Sequence, residues 1–210
     1  MTTATATTVR VWHFARDDMT LDYGDGRKIT PGETITVDCK PVLCESGLHG
    51  SESIMDALAL APGNMVCRCD ISGEIVRGYD KLVGTERKCL WVVDGFTLLR
   101  DFARWCALQV IDGWDAPDVV RKWLETGDES LRSEARSAAH SAADSAARSA
   151  ARSAACYAAC YAARYAAYSA ADYAAGSAAH PAACSAAHSV QGRKLEEMVR
   201  AAHAEAGGDA

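Results

Sequence analysis

Positive charge is in short supply in this chain: 22 lysines and arginines stand against 28 aspartates and glutamates, a formal net charge of −6 over 210 residues. That argues against general nucleic-acid binding, because no basic stripe is offered to phosphate. Met1 to Thr8 has neither the basic nor the apolar segment of a secretory signal, and no apolar run is long enough to cross a bilayer. A soluble intracellular protein is expected. The chain also lacks a Ser-His-Asp order, a phosphate-binding glycine loop and a spaced carboxylate pair, so no catalytic set is legible. Helix breakers are missing from a long stretch as well: between 137 and 188 only Gly176 and Pro181 interrupt.

That stretch is thirteen consecutive four-residue units, each Ser or Tyr, then Ala-Ala, then a variable residue, with Pro181 the one departure. Alanine is the best helix former, so the segment is expected to be helical, at a length of roughly 78 Å if continuous. Each unit advances the Ala-Ala stripe by about 40° around the axis, so a straight helix cannot bury the whole stripe against one flat surface. Supercoiled close packing or a break into shorter antiparallel helices would resolve this. Paired alanines let helix backbones approach closely. Tyr157, Tyr161 and Tyr165 share one helix face, with Tyr168 and Tyr173 following, and form an aromatic ridge suited to assembly with a second copy or a host protein. A solvated helix has no reason to carry such a ridge.

Nine cysteines, an odd number, with no signal peptide argue for reduced thiols rather than a disulfide framework. Cys39, Cys44, His49, Cys67 and Cys69 match no standard zinc spacing, and Cys67-Arg-Cys69 alternates as strand residues do. Cys156 and Cys160, and His180, Cys184 and His188, stand at i, i+4 spacing, but the variable repeat position samples many residue types. Neither a metal nor a cofactor is expected.

Before the repeat, composition is ordinary. Val9–Phe14, Glu33–Val37, Asn64–Ile71 and Lys88–Val93 read as strands, with turns at Tyr23–Gly26 and Pro31-Gly32. Ser51–Leu60 reads as a short helix ending at Pro62-Gly63, and Thr97–Ile111 as an amphipathic one. Asp115-Ala-Pro117 opens a further helix through Glu125, with Gly127 as C-cap and Asp128 as the next N-cap. The fold class expected is an α+β head, with a small mixed or antiparallel sheet and short helices, followed by an all-α alanine-rich module. The corresponding domains are a disordered lead-in at 1–8, the head at 9–95, connecting helices packed on it at 96–127, the helical repeat at 128–205 and a tail at 206–210. A chain ending near Gly127 is expected to fold by itself.

The order Cys44-Glu-Ser-Gly-Leu-His-Gly-Ser51, Asp56-Ala-Leu58, Ala61-Pro-Gly63, Asp80-Lys81, Arg87, Trp114-Asp-Ala-Pro117 and Thr126-Gly-Asp128 resembles a family of uncharacterised phage and prophage proteins with alanine-rich C-terminal repeats. The resemblance implies a phage-type origin, the host cytoplasm as location, and no established activity. Gly47–Leu58 with Met65–Glu74 is also faintly similar to the central strand, helix and strand of ADP-ribosyltransferase folds, although neither Glu74 nor Glu86 carries a recognisable flanking motif.

His49 is the leading candidate in the head, glycine-flanked and just before an expected helix start at Ser51 that could receive an anion. The plainer reading makes His49 a hydrogen-bonding residue that holds its loop to the strand. Asp80, Lys81 and Arg87 could line a polar cleft with His49 or simply form surface ion pairs. The functional expectation is an accessory protein whose head binds a host factor or small ligand and whose repeat assembles copies. The alternatives are a transferase or hydrolase of nucleotide-type or NAD substrates centred on His49, and a purely structural oligomerisation protein.

Overall fold

The computed structural model describes residues 8–21, 25–113, 116–146 and 181–208. The repeat tyrosines Tyr157, Tyr161, Tyr165, Tyr168 and Tyr173 lie outside them, as do Gly176, Cys156, Cys160 and His180. The chain divides into two units, one of residues 1–95 with 196–210 and the other of residues 96–195.

The first unit is built on a five-stranded antiparallel sheet. β1 (Val9–Ala15), β4 (Met65–Arg77), β5 (Leu82–Asp94) and β2 (Thr34–Thr36) lie side by side in that order, and β3 (Leu48–Gly50) pairs with the far end of β5. β4 and β5 form one long hairpin, turning where the Gly78 N–H donates to the Lys81 carbonyl at 2.7 Å. Register shifts at Arg68/Cys69 and Ser72/Ile75 bend this hairpin, the second beside Gly73 in the left-handed region. Both strands run well beyond their expected ends, because Ser72-Gly-Glu74 breaks the alternation that marks a strand in sequence.

Alternation gives the sheet two unlike faces. Val9, Val11, Ala15, Cys67, Cys69, Ile71 and Cys89 share one buried cluster with Ile29 and Leu82. The opposite face carries Trp12, Arg68 and Trp91, which stand in line across β1, β4 and β5. The short helix α1 (Ile54–Ala59) is capped by the Ser53 hydroxyl, which accepts from the Asp56 N–H, and packs against β1. It starts three residues later than expected, because Leu48–Gly50 and Ser51 are extended: the Ser51 and Trp12 backbones exchange hydrogen bonds at 2.7 and 2.9 Å.

In the second unit α2 (Phe96–Leu108) buries Leu98, Leu99, Phe102, Ala103, Cys106 and Ala107. α3 (Asp118–Thr126) ends at Gly127, whose φ of 68° suits a left-handed C-cap, and Asp128 then caps the next turn by accepting from the Ser130 N–H. α4 (Arg132–Ala146) sets Ala135 and Ala139 into the cluster formed by Ala107, Ile111, Val120, Trp123 and Leu124. Ala139 belongs to the first repeat unit, so alanine there serves close helix packing.

α5 (Pro181–Glu205) begins at the repeat's one proline, which occupies the first helical position where no N–H is needed. From Glu196 onward its residues cluster with the strands, whereas the sequence alone groups them with the repeat. Val199 is fully buried, the Arg200 guanidinium lies 5.6 Å from the Trp12 ring centroid, and His203 stacks on Trp91 at 4.3 Å. These contacts tie the C-terminal helix to the tryptophan face of the sheet. No helix among the described residues is long and apolar enough to cross a membrane.

Candidate ligand-binding site

A cavity of about 620 Å³ opens in the first unit, between β1, the β3 segment, α1 and the loop before β3. Leu48, Leu60, Pro62, Ala57 and Phe14 supply apolar lining; His13, Ser51, Lys81 and Arg87 are among the polar lining residues. Its size falls in the range of about 300–1,000 Å³ usual for small-molecule sites. Four of the sequence candidates, His49, Ser51, Lys81 and Arg87, therefore meet at one cavity. The fifth, Asp80, stands beside it as the ion-pair partner of Lys81 at 3.5 Å.

Arg87 is the central residue. It is only 3 % exposed, on β5 opposite Ile35 of β2 and Ile71 of β4. Surface ion pairing, the bland reading of its sequence, is therefore excluded. Its Nη1 donates to the His49 carbonyl at 2.8 Å, while its Nη2 is buried with no hydrogen-bond partner among the described residues. A guanidinium cannot shed its charge, so such burial requires compensation.

The thiols of Cys69 and Cys89 both feel the charge of Arg87. Cys69 and Cys89 lie directly opposite one another across β4 and β5. Hydrogen bonds from Cys67 and Cys69, helped by the charge of Arg87, lower the Cys89 thiol, while burial raises it. Against this, Cys89 is 2 % exposed and its S–H donates to the Trp91 carbonyl at 3.6 Å. That donation requires the proton, and a thiolate among apolar side chains would be heavily penalised, so we assign the neutral thiol. Arg87 then has no anionic partner in the first unit among the described residues.

His49 has a defined role in the loop. Its Nε2 lies 3.0 Å from the Cys44 nitrogen, and since a backbone N–H can only donate, Nε2 must be the unprotonated acceptor. The proton is on Nδ1, consistent with a hydrogen bond to the Gly47 backbone. The ring thus clamps the loop before β3, and its basic nitrogen is already engaged. Gly47 permits the close approach: its φ is +103°, and a Cβ there would meet Val83 Cγ2 at 2.6 Å. At six residues α1 contributes no anion site of its own.

His13 and Cys44 line the same cavity; the sequence reading weighed Cys44 only as a zinc ligand and a motif residue, and passed over His13. For His13 the signal was parity, since it shares a strand face with Val9, Val11 and Ala15. Burial, then the charge of Arg87 and the neighbouring His49, hold the His13 imidazole well below its ordinary range. Burial likewise lowers His49, with Lys81 and Arg87 acting the same way and the Gly47 hydrogen bond opposing.

Both histidines are therefore neutral in the fold and take up protons on unfolding below their ordinary pKa of about 6.5. Stability from this source is complete above about pH 6.5 and falls as pH drops towards the lowered folded values, by up to about 1.4 kcal/mol per pH unit for each histidine. Urea unfolding between about pH 7 and pH 5 should show this loss. His13→Gln should reduce the slope by about one proton's worth; an unchanged slope would mean that His13 is already charged in the fold.

No protein-family model, curated protein or solved structure matches the chain.

Proposed function

We propose that the β-sheet unit is a binding module for a small anionic ligand, held in the cavity by Arg87 with Lys81 at its edge. The observation that carries this is the buried Arg87 guanidinium, with one nitrogen unpartnered and no carboxylate paired to it among the described residues. A charge kept in such a place without a resident partner is a poor stability device and a good recognition device. The apolar wall of Leu48, Leu60 and Pro62 suits an organic body behind the anionic group. Engagement of His49 Nε2 by the Cys44 N–H favours binding over a reaction centred on that imidazole. On this reading the alanine-rich run serves assembly or support of the binding unit, in keeping with the packing of Ala135 and Ala139. A phage-type origin, resting on the motif order from Cys44 to Asp128, would make the ligand or its carrier a component of the host cell.

Thermal unfolding of the full chain with phosphate, pyrophosphate, citrate and adenosine monophosphate, each beside a neutral analogue, tests the reading. At a hundredfold excess over Kd, a bound anion should add about 2.7 kcal/mol of stability. Arg87→Met should abolish that gain; in the unliganded protein, shedding a buried charge without a counter-ion offsets the lost Nη1 hydrogen bond to the His49 carbonyl, so stability should change by no more than about 1–3 kcal/mol. Equal response to anions and neutral analogues, or an anion response that survives in Arg87→Met, would overturn the proposal.

A further inference from the structure

Cys44 has a left-handed backbone, with φ at +63°. A side chain with a Cβ adopts that conformation only at a cost, and it persists only where the surroundings impose it. The surroundings do so here: the Cys44 N–H is held by His49 Nε2 at 3.0 Å, and Val42 and Ser46 exchange backbone hydrogen bonds at 2.9 and 3.0 Å around it. The result is an exposed thiol on the lining of the cavity that Lys81 and Arg87 also line. An independent feature of the same cavity is the unpartnered, buried Nη2 of Arg87, which calls for an anion.

We propose that Cys44 is a modification site, a nucleophilic thiol that forms mixed disulfides with small carboxylate-bearing disulfides drawn to the cavity by Lys81 and Arg87. The thiolate of Cys44 attacks one sulfur of the disulfide, a new S–S bond to Cys44 forms as the original S–S bond breaks, and the other half departs as a thiolate. Cys44 and one sulfur of the reagent end as the oxidised pair, the released half is reduced, and the proton lost by Cys44 goes to solvent or to that half. Lys81, on the same cavity lining, remains an ammonium throughout and attracts the carboxylates of the reagent. The choice of an anionic reagent rests on the anion-binding reading above; the nucleophilic placement of Cys44 does not.

The test compares two reagents on the full chain, dianionic 5,5′-dithiobis(2-nitrobenzoate) and neutral 4,4′-dithiodipyridine, with the labelled cysteine assigned by peptide mapping. Cys44 should react before Cys39, the other exposed thiol on the cavity lining, and should favour the anionic reagent, with the preference shrinking as salt is raised. Lys81→Met should slow the anionic reagent at Cys44 on the order of tenfold, and Lys81→Arg should restore most of the rate. Cys44→Ser should remove the fast phase. If Cys39 reacts first, if the two reagents react alike, or if Lys81→Met has no effect, the proposal fails. A fast, anion-selective Cys44 in a protein that shows no equilibrium anion binding would uphold this site and sink the binding-module reading instead.

Discussion

A chain that stops at Lys194 should lose the cooperative unfolding of its sheet unit and show red-shifted tryptophan emission. The missing segment carries Val199, which is fully buried, Arg200 over the Trp12 ring and His203 stacked on Trp91 at 4.3 Å. Trp12 itself is 0 % exposed. Uncovering parts of two tryptophans and losing Val199 forfeits on the order of 5 kcal/mol at about 25 cal/mol per Å². Total stabilities of domains are about 5–15 kcal/mol, so the loss is comparable with the whole. A chain ending near Gly127 lacks the same helix and should fail in the same way, contrary to what composition suggests. Urea titration followed by tryptophan fluorescence provides the measurement. A cooperative transition within a few degrees or tenths of molar of the full chain would show that the helix merely rests on the sheet.

Trp12→Ala should cost about 3–5 kcal/mol, the usual range for emptying a large aromatic site in a core. Trp12 meets Trp91 edge-on at 5.7 Å between centroids and lies under the Arg68 guanidinium at 4.2 Å, so both neighbours lose a partner. Its strand also carries His13 and exchanges backbone hydrogen bonds with Ser51, which places the damage beside the cavity. Trp12→Phe should cost far less, on the order of 1 kcal/mol. The indole Nε1 has no hydrogen-bond partner and is buried, so replacing it by a hydrocarbon ring removes an unsatisfied donor while keeping most of the area. Chemical denaturation of both variants checks the contrast, and equal losses for Ala and Phe would show that contacts specific to the indole, which a phenyl ring cannot keep, govern this position.

Much of the architecture was written locally. Alternation marked β1 and the first half of β4, the apolar period marked α2, and Pro117, Gly127 and Asp128 stand at helix ends as expected. β3 carried no such mark. Three residues are too few to show a period, and Leu48–Gly50 is extended because it pairs with Leu82–Gly84 more than thirty positions away. The sequence offered His49, Lys81 and Arg87 as one polar cleft, but not the burial of Arg87, which follows from the joint placement of β2, β3 and β4 around β5. The strain at Cys44 arises from His49 reaching back across the loop, which no local propensity encodes.

By itself, then, the sequence determined what depends on near neighbours: the α+β class of the first 95 residues, the helices and their caps, the helical nature of Arg132–Ala146 and Pro181–Glu205, and the list of polar residues available for a site. Tertiary structure alone decided which of those residues lose water and which partners they find. It buried Arg87 without a carboxylate, engaged the basic nitrogen of His49, and laid Arg200 and His203 on the tryptophans of the sheet. The reason is physical. Backbone propensity is set over a few residues, whereas desolvation of a charge and the stacking of an aromatic depend on surfaces brought together from across the chain.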